Sequence, residues 1–486
     1  MNDRSHQAGL ITLAEYFRFG VKSIIGIMLA RILTQGDLGS YRQLFLIYTT
    51  ISTLMLMGIP QSLIYFLPKI SDEQQRQRHI GNIMNLSLLL SVMFALVLLL
   101  LRQPIAIRFQ NPQLSTLLII YAAYPLMMFS TSLYSYVMLG LGDAGAAARF
   151  TIFSVITDAI LILGAAFITR ELVWIVSAVI AASFLQWLFT RVKLHQYRAP
   201  WRLDIPFYKA QFAYALPLGV SSLISMLSIQ LDKIVVSSFF TPAQFAVFSI
   251  GAMELPFISI LTNSVNSVLL PGMSKAESKD EMSLLFRAAV RKNALFILPV
   301  ALLFYLYAPQ IITLLYTDLY REAVPFFRVY LYILPLRVAT FGMVFMALGK
   351  TRVVMYNAIF LLCSNLILNL ILVKTMGMIG AAIATVVVTV LAVLFYMLLI
   401  KFKLRFQLGK LLPTVPLIKT ALAAVIAFVA SYYFVQIRPS RLVEALGVGV
   451  FIIVYILTGY LFKAILPYDI ELLRSFADRF IKRAKA

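Results

Sequence analysis

The chain has 486 residues, of which 61% are hydrophobic, with a formal net charge of +22 and one cysteine, Cys363. Soluble domains are about 45–50% apolar, so this composition excludes a water-soluble globular domain, and a lone cysteine excludes an intramolecular disulfide. The charge alone would suggest a nucleic-acid partner, but its distribution removes that reading.

A membrane span needs about 20 mostly apolar residues. Fourteen such segments follow one another at roughly 10–33, 41–67, 81–101, 114–140, 145–168, 171–193, 209–239, 242–270, 285–308, 322–347, 352–374, 378–400, 412–436 and 442–466. The expected fold is an all-α polytopic membrane protein of about fourteen transmembrane helices. The connections are short, so no soluble domain is inserted. Residues 1–9 are polar and no small-residue cleavage site follows the first apolar segment, so no cleavable signal peptide is expected. Cys363 falls in an apolar helix and is expected to pack as a small core residue.

With the N-terminus placed in the cytoplasm, twenty-seven Lys and Arg fall in cytoplasmic segments and seven opposite. That bias over short loops puts both termini on the cytoplasmic side. The basic surplus then reflects topology and anionic lipid, and no nucleic-acid partner is expected. The tail "DIELLRSFADRFIKR" (469–483) spaces Leu472, Leu473, Phe476 and Phe480 as the apolar face of an interfacial helix.

Eight cations remain within or at the edges of the spans. Arg31, Arg42, Arg328 and Lys419 sit where a helix end lets them snorkel. Arg18, Lys22, Lys233 and Arg337 lie deeper. A cation at a helix centre costs roughly 2.5–3.5 kcal/mol on the insertion scale. Apolar residues return only about 0.3–0.6 kcal/mol each, so the first span barely favours lipid by itself. Glu15, Arg18 and Lys22 follow at i, i+3, i+7 on one helix face, with Arg31 near the outer end. Two readings stand: this face lines a wet cavity, or Glu15 pairs with a neighbouring cation for structure alone. Asp232-Lys233 is open to the same choice. Arg337 follows Pro335, and Glu254 precedes Pro256, where a proline frees a carbonyl and bends the helix. Arg337 is expected in the cavity. Glu254 and Asp158 are expected as buried, hydrogen-bonded carboxylates, with ion coupling as the alternative.

The halves repeat. "LGDAGAAARFTIFSVITDAILIL" from Leu141 matches "LGKTRVVMYNAIFLLCSNLILNL" from Leu348, at an offset of 207 that sets Asp158 on Asn365 and Thr34 on Thr241. "LPKIS" from Leu67 matches "LPGMS" from Leu270. Six spans per repeat make the duplication parallel, with a substrate site expected at mid-membrane between the halves. The expected domains are 1–205 (helices 1–6), 206–406 (helices 7–12), and 407–486 (helices 13–14 and the amphipathic tail).

"LARILTQGDLGSYRQLFLIYTTISTLMLMGIPQSLIYFLP" (29–68), "ALPLGVSSLISMLSIQLDKIVVSSFFTPAQFAVFS" (215–249) and "ALGKTRVVMYNAIFLLCSNLILNLILVKTMGMIGAAIAT" (347–385) resemble the polysaccharide-transporter family. Its superfamily also holds multidrug extruders and the lipid II flippase. The resemblance covers about residues 10–400, and "GAAIAT" has no good counterpart at "VWIVSA" (173–178). It implies a flippase, not an enzyme, that carries undecaprenyl-pyrophosphate-linked oligosaccharide across the bacterial inner membrane by alternating access. The product would be O-antigen, capsule or exopolysaccharide. Partners would be the lipid-linked oligosaccharide, membrane lipids, and the polymerase and other assembly proteins. The substrate cavity would be built from Arg18, Lys22, Arg31, Lys233 and Arg337, with Glu15, Asp158, Asp232 and Glu254 as counter-ions or coupling groups. No cofactor and no metal is expected: His6, His79 and His195 all fall in cytoplasmic segments, and no phosphate-binding glycine loop appears. The alternatives are a cation-coupled drug exporter of the same superfamily and a membrane-embedded glycan polymerase or ligase.

Overall fold

A computed structural model describes residues 2–197, 200, 204–253, 255–437, 440–467 and 469. All secondary structure among these residues is helical. The tail read as an interfacial helix lies, beyond Asp469, outside the described residues.

Among the described residues ten helices are long and apolar enough to cross a membrane, or up to twelve if each of two bent pairs counts as one span. Each of the fourteen segments expected from the sequence is helical, but fourteen crossings remain an expectation. The first helix carries Glu15, Arg18, Lys22 and Arg31, and the eighth segment is interrupted after Gly251.

The chain packs as two units, Met1–Ile250 with Leu315–Tyr320, and Gly251–Leu314 with Arg321–Ala486. The first holds α1 (Asn2–Ile32), α2 (Gln35–Leu56), α3 (Ile59–Phe66), α4 (Glu73–Arg108) and α5 (Pro112–Tyr121). It continues with α6 (Ala123–Gly140), α7 (Ala144–Thr169), α8 (Leu172–Lys193), α9 (Ile205–Phe239) and α10 (Pro242–Gly251), whose last residue belongs to the second unit. α1 lies along α7, α7 along α8, and α4 against α5 and α6.

Two spans in this unit are broken. The α2–α3 segment bends by 47° and the α5–α6 segment by 50°. At the first break Met57 (φ 39°) and Gly58 (φ 77°) are left-handed, which ends α2, and Pro60 starts α3. At the second, Pro125 lacks the N–H that would bond to Tyr121 and its ring crowds that carbonyl, so the helix breaks at Ala122.

Although α9 is expected from the sequence to open the second repeat, it packs into the first unit against α2 and α3. A Cβ on Gly219 would collide with the Met57 backbone, so glycine permits this close approach. Buried amides fasten it. Gln43 Nε2 donates to Ser237 Oγ (3.0 Å), and Ser62 Oγ donates to Gln211 Oε1 (2.8 Å). Packing thus divides the chain at 250/251, whereas the repeat divides it near 205/206. The first boundary is one of contact, and the second stays an expectation from the sequence.

The second unit holds α11 (Pro256–Lys275), α12 (Lys279–Leu306) and α13 (Ala308–Tyr316), whose last two residues belong to the first unit. After a 3-10 turn come α14 (Val324–Leu331), α15 (Ile333–Arg337), α16 (Gly342–Ala347), α17 (Thr351–Met376) and α18 (Met378–Phe402). The short α19 (Leu408–Leu411), α20 (Thr414–Ile437) and α21 (Arg441–Leu461) complete it. α12 is its hub, packed on α11, α15 and α20.

Cys363 departs from expectation: it is exposed on α17. The thiol is a small apolar group, and an exterior bathed in lipid accepts it as readily as a core does. The same reasoning applies to exposed Leu100, Ile168 and Leu461.

Candidate functional site

The charged face of α1 is real and has partners. Glu15 and Arg18 form an ion pair, with side chains 45% and 47% exposed. Lys22, one turn further on, is also exposed and lies in electrostatic range of Asp158, Arg18 and Glu15. Asp158 comes from α7, which the long α1–α7 contact brings alongside. Its Oδ1 accepts from Gln186 Nε2 at 2.7 Å, and the same amide donates to the Ser154 carbonyl (3.1 Å). Gln186 is buried on α8, so two neighbouring helices hold the carboxylate in place.

Two cations therefore meet two carboxylates. The cavity reading and the pairing reading are rivals; the structure contains the Glu15–Arg18 pair, with its side chains exposed, and cavity lining stays a proposal. The Asp158 expectation of a hydrogen-bonded carboxylate fits this geometry, though the group is half-buried rather than enclosed.

A second feature was not singled out from the sequence. Tyr48 on α2 meets Tyr121 on α5 and Tyr124 on α6, and Tyr41 packs on Phe45, which itself contacts both rings. Tyr121 and Tyr124 stack with centroids 4.8 Å apart, and Tyr48 meets Tyr124 edge-on at 4.7 Å. Asp158 lies in electrostatic range of Tyr41, Tyr121 and Tyr124, which joins this aromatic cluster to the α1 charges. The available signal was the i, i+4, i+7 spacing of Tyr41, Phe45 and Tyr48 on one face of α2.

The other expected residues are dispersed. Arg31, in the last turn of α1, donates from Nε to the Leu315 carbonyl (3.0 Å). Asp232 is buried, and its Oδ1 accepts from the Lys233 backbone N–H (2.7 Å) rather than serving only as an outward counter-ion. The Lys233 side chain is half-buried. Arg337 ends α15 in the second unit, also half-buried. Glu254 lies outside the described residues.

Arg42, assigned from sequence to snorkelling at a helix end, instead turns inward. Its Nη1 donates to Ser249 Oγ on α10 at 2.6 Å.

Three solved structures share this fold. The lipid II flippase MurJ in an inward closed conformation is 16% identical with a TM-score of 0.75, covering 93% of this chain and 98% of that one. An inward-facing multidrug resistance MATE family transporter of the MOP superfamily is 17% identical with a TM-score of 0.64, covering 80% and 94%. The Vibrio cholerae MATE transporter VcmN is 18% identical with a TM-score of 0.54, covering 83% and 98%. At these identities the likeness is one of fold. No curated protein matches the chain. A family model described as polysaccharide biosynthesis protein matches residues 28–325, more than half of the sequence, and on that ground the chain belongs to the polysaccharide biosynthesis protein family.

Proposed function

We propose that the chain is a flippase that moves undecaprenyl-pyrophosphate-linked oligosaccharide across the bacterial cytoplasmic membrane by alternating access, for O-antigen, capsule or exopolysaccharide assembly. The observation that carries this reading is the accessible network of Glu15, Arg18, Lys22 and Asp158, set within apolar helices of a polysaccharide biosynthesis protein. Ionisable groups at membrane depth are costly and mark substrate or ion paths. An ion-pair network suits a transient anionic cargo. The pyrophosphate competes with Glu15 and Asp158 for the two cations, and the carboxylates take them back on release. Attraction in such a cleft is stronger than in bulk water because the dielectric is lower.

Arg31, Lys233 and Arg337 serve the same anion at other stages of the cycle in this proposal. Asp232 and Glu254 act as counter-charges. Both termini lie in the cytoplasm, and the duplicated bundles 1–205 and 206–406 are the bodies that rock, with 407–486 appended. The polymerase and other assembly proteins take the product on the far side.

The cellular test is direct. Arg18→Ala and Lys22→Ala should each lower surface polysaccharide several-fold at unchanged membrane level of the protein, while lipid-linked oligosaccharide accumulates on the cytoplasmic leaflet. Normal surface polysaccharide in both variants would remove the α1 face from the transport path.

A second reading, a cation-coupled drug exporter, is favoured by Asp158 alone, a carboxylate accessible within the bundle. Efflux of a lipophilic cation that Asp158→Asn abolishes would support it.

A further inference from the structure

Arg42 lies two turns into α2, about 10 Å from the helix start at 1.5 Å per residue, with its side chain only partly exposed. Its one hydrogen bond among the described residues runs from Nη1 to Ser249 Oγ. Ser249 Oγ donates onward to the Ala246 carbonyl (3.0 Å), so it is fixed as an acceptor for the arginine. The groups in electrostatic range of the guanidinium are the phenols of Tyr316, Tyr320 and Tyr41, with no carboxylate among them. Nε and Nη2, the paired edge of the guanidinium, have no partner among the described residues. That edge matches an oxyanion in bidentate geometry.

The tyrosines reach Arg42 because the chain makes a detour. Residues 315–320 pack within the first unit although the chain on both sides belongs to the second. Two side chains tie this strap down at its backbone. Arg31 Nε donates to the Leu315 carbonyl (3.0 Å), and Gln35 Nε2 donates to the Leu319 carbonyl (2.6 Å). Thr317 turns the strap with a left-handed backbone (φ 74°), an uncommon state for a β-branched residue. Tyr320 is fully buried, and its hydroxyl has no hydrogen-bond partner among the described residues. A half-buried arginine with no acid in electrostatic range and a buried hydroxyl with no partner among the described residues are each unfavourable. An oxyanion between them would satisfy both.

We propose that Arg42, with the strap tyrosines Tyr316 and Tyr320, forms an oxyanion subsite separate from the α1 charges. The anion is either a phosphoryl group or the carboxylate of an acidic sugar. The strap supplies part of the site, so its docking and occupancy by the anion reinforce each other. As part of a transport path this deepens the flippase reading, but the binding claim stands without it.

The test uses the purified full chain carrying Arg18→Gln and Lys22→Gln, which removes the α1 cations and keeps the two proposals apart. Isothermal titration with inorganic pyrophosphate, and in a second arm with glucuronate, measures affinity. At least one anion should bind, and the tighter of the two identifies the source. Adding Arg42→Gln should weaken that binding by about tenfold or more, and Arg42→Lys by less, because the charge stays while the fork is lost. Tyr320→Phe, which deletes one buried oxygen and keeps the packing, should weaken it by about threefold at an unchanged melting temperature. Failure of both anions to bind, or equal affinity with and without Arg42, overturns the subsite. Where Arg42→Gln does not fold, equal affinity in Tyr320→Phe does the same.

Discussion

Thr34 and Thr241, 207 positions apart, cap equivalent helices in the same way. Thr34 Oγ1 accepts from the Asp37 N–H at 3.1 Å, and Thr241 Oγ1 accepts from the Gln244 N–H at 3.4 Å. Asp37 and Gln244 are themselves 207 apart, so the offset read from sequence carries a local hydrogen-bond motif as well as residue identities.

These caps are expected to contribute to stability in parallel. Thr34→Ala and Thr241→Ala should each cost about 1 kcal/mol, and Thr→Ser at either position should cost little. Unfolding of the detergent-solubilised protein, followed by thermal shift, checks this. A large loss in one variant and none in the other would mean that the two caps are not equivalent.

The Lys22–Asp158 relationship predicts non-additivity. Lys22→Met should leave Asp158 with its largest positive neighbour gone, and Asp158→Asn should do the reverse. The double variant should be more stable than the sum of the singles predicts, by about 0.5–3 kcal/mol, as residues in one network couple. Additive losses would show that the two groups act independently.

Glycine positions predict where size is not tolerated. A Cβ on Gly219 meets the Met57 backbone, and one on Gly39 meets the Pro242 carbonyl. Gly219→Ala and Gly39→Ala should each destabilise by about 1–3 kcal/mol or more, because backbone cannot move aside as a side chain can. Gly164→Ala, with nothing within 4 Å, should be neutral or slightly stabilising. Size-exclusion profiles of the tagged variants distinguish these outcomes.

Orientation can be read with thiols. In a Cys363→Ala background, Ser71→Cys should resist a membrane-impermeant maleimide in intact cells, and Glu171→Cys should react. The cation bias motivates this expectation. The opposite labelling pattern would invert the topology.

Hydropathy made the helices legible because the bilayer imposes length and apolarity on each segment separately. It did not show the breaks at Met57–Gly58 and Ala122, since apolar residues continue through both, and only Pro60 and Pro125 signalled them. The α1 face was legible because Glu15, Arg18 and Lys22 are helical neighbours. Its connection to Asp158 and Gln186 was not, because that depends on which helices pack together. Arg42 shows the same limit. The apolar segment expected from the sequence starts at residue 41, which puts Arg42 at a helix end, whereas α2 begins at Gln35. Ser249 and the strap tyrosines are more than 200 residues away. The packing of α9 with the first unit was hidden for the same reason.

Reconstituted flipping tests the central claim most directly. Liposomes are made with undecaprenyl-pyrophosphate-linked oligosaccharide in both leaflets, with and without the purified chain, and exposed to a membrane-impermeant glycosidase. Without protein, about half of the glycan should be cleaved, because half faces outward. With the chain, cleavage should proceed towards completion, and Lys22→Ala should slow the second half severalfold. Cleavage that stops at the same half with and without the chain would contradict the flippase account.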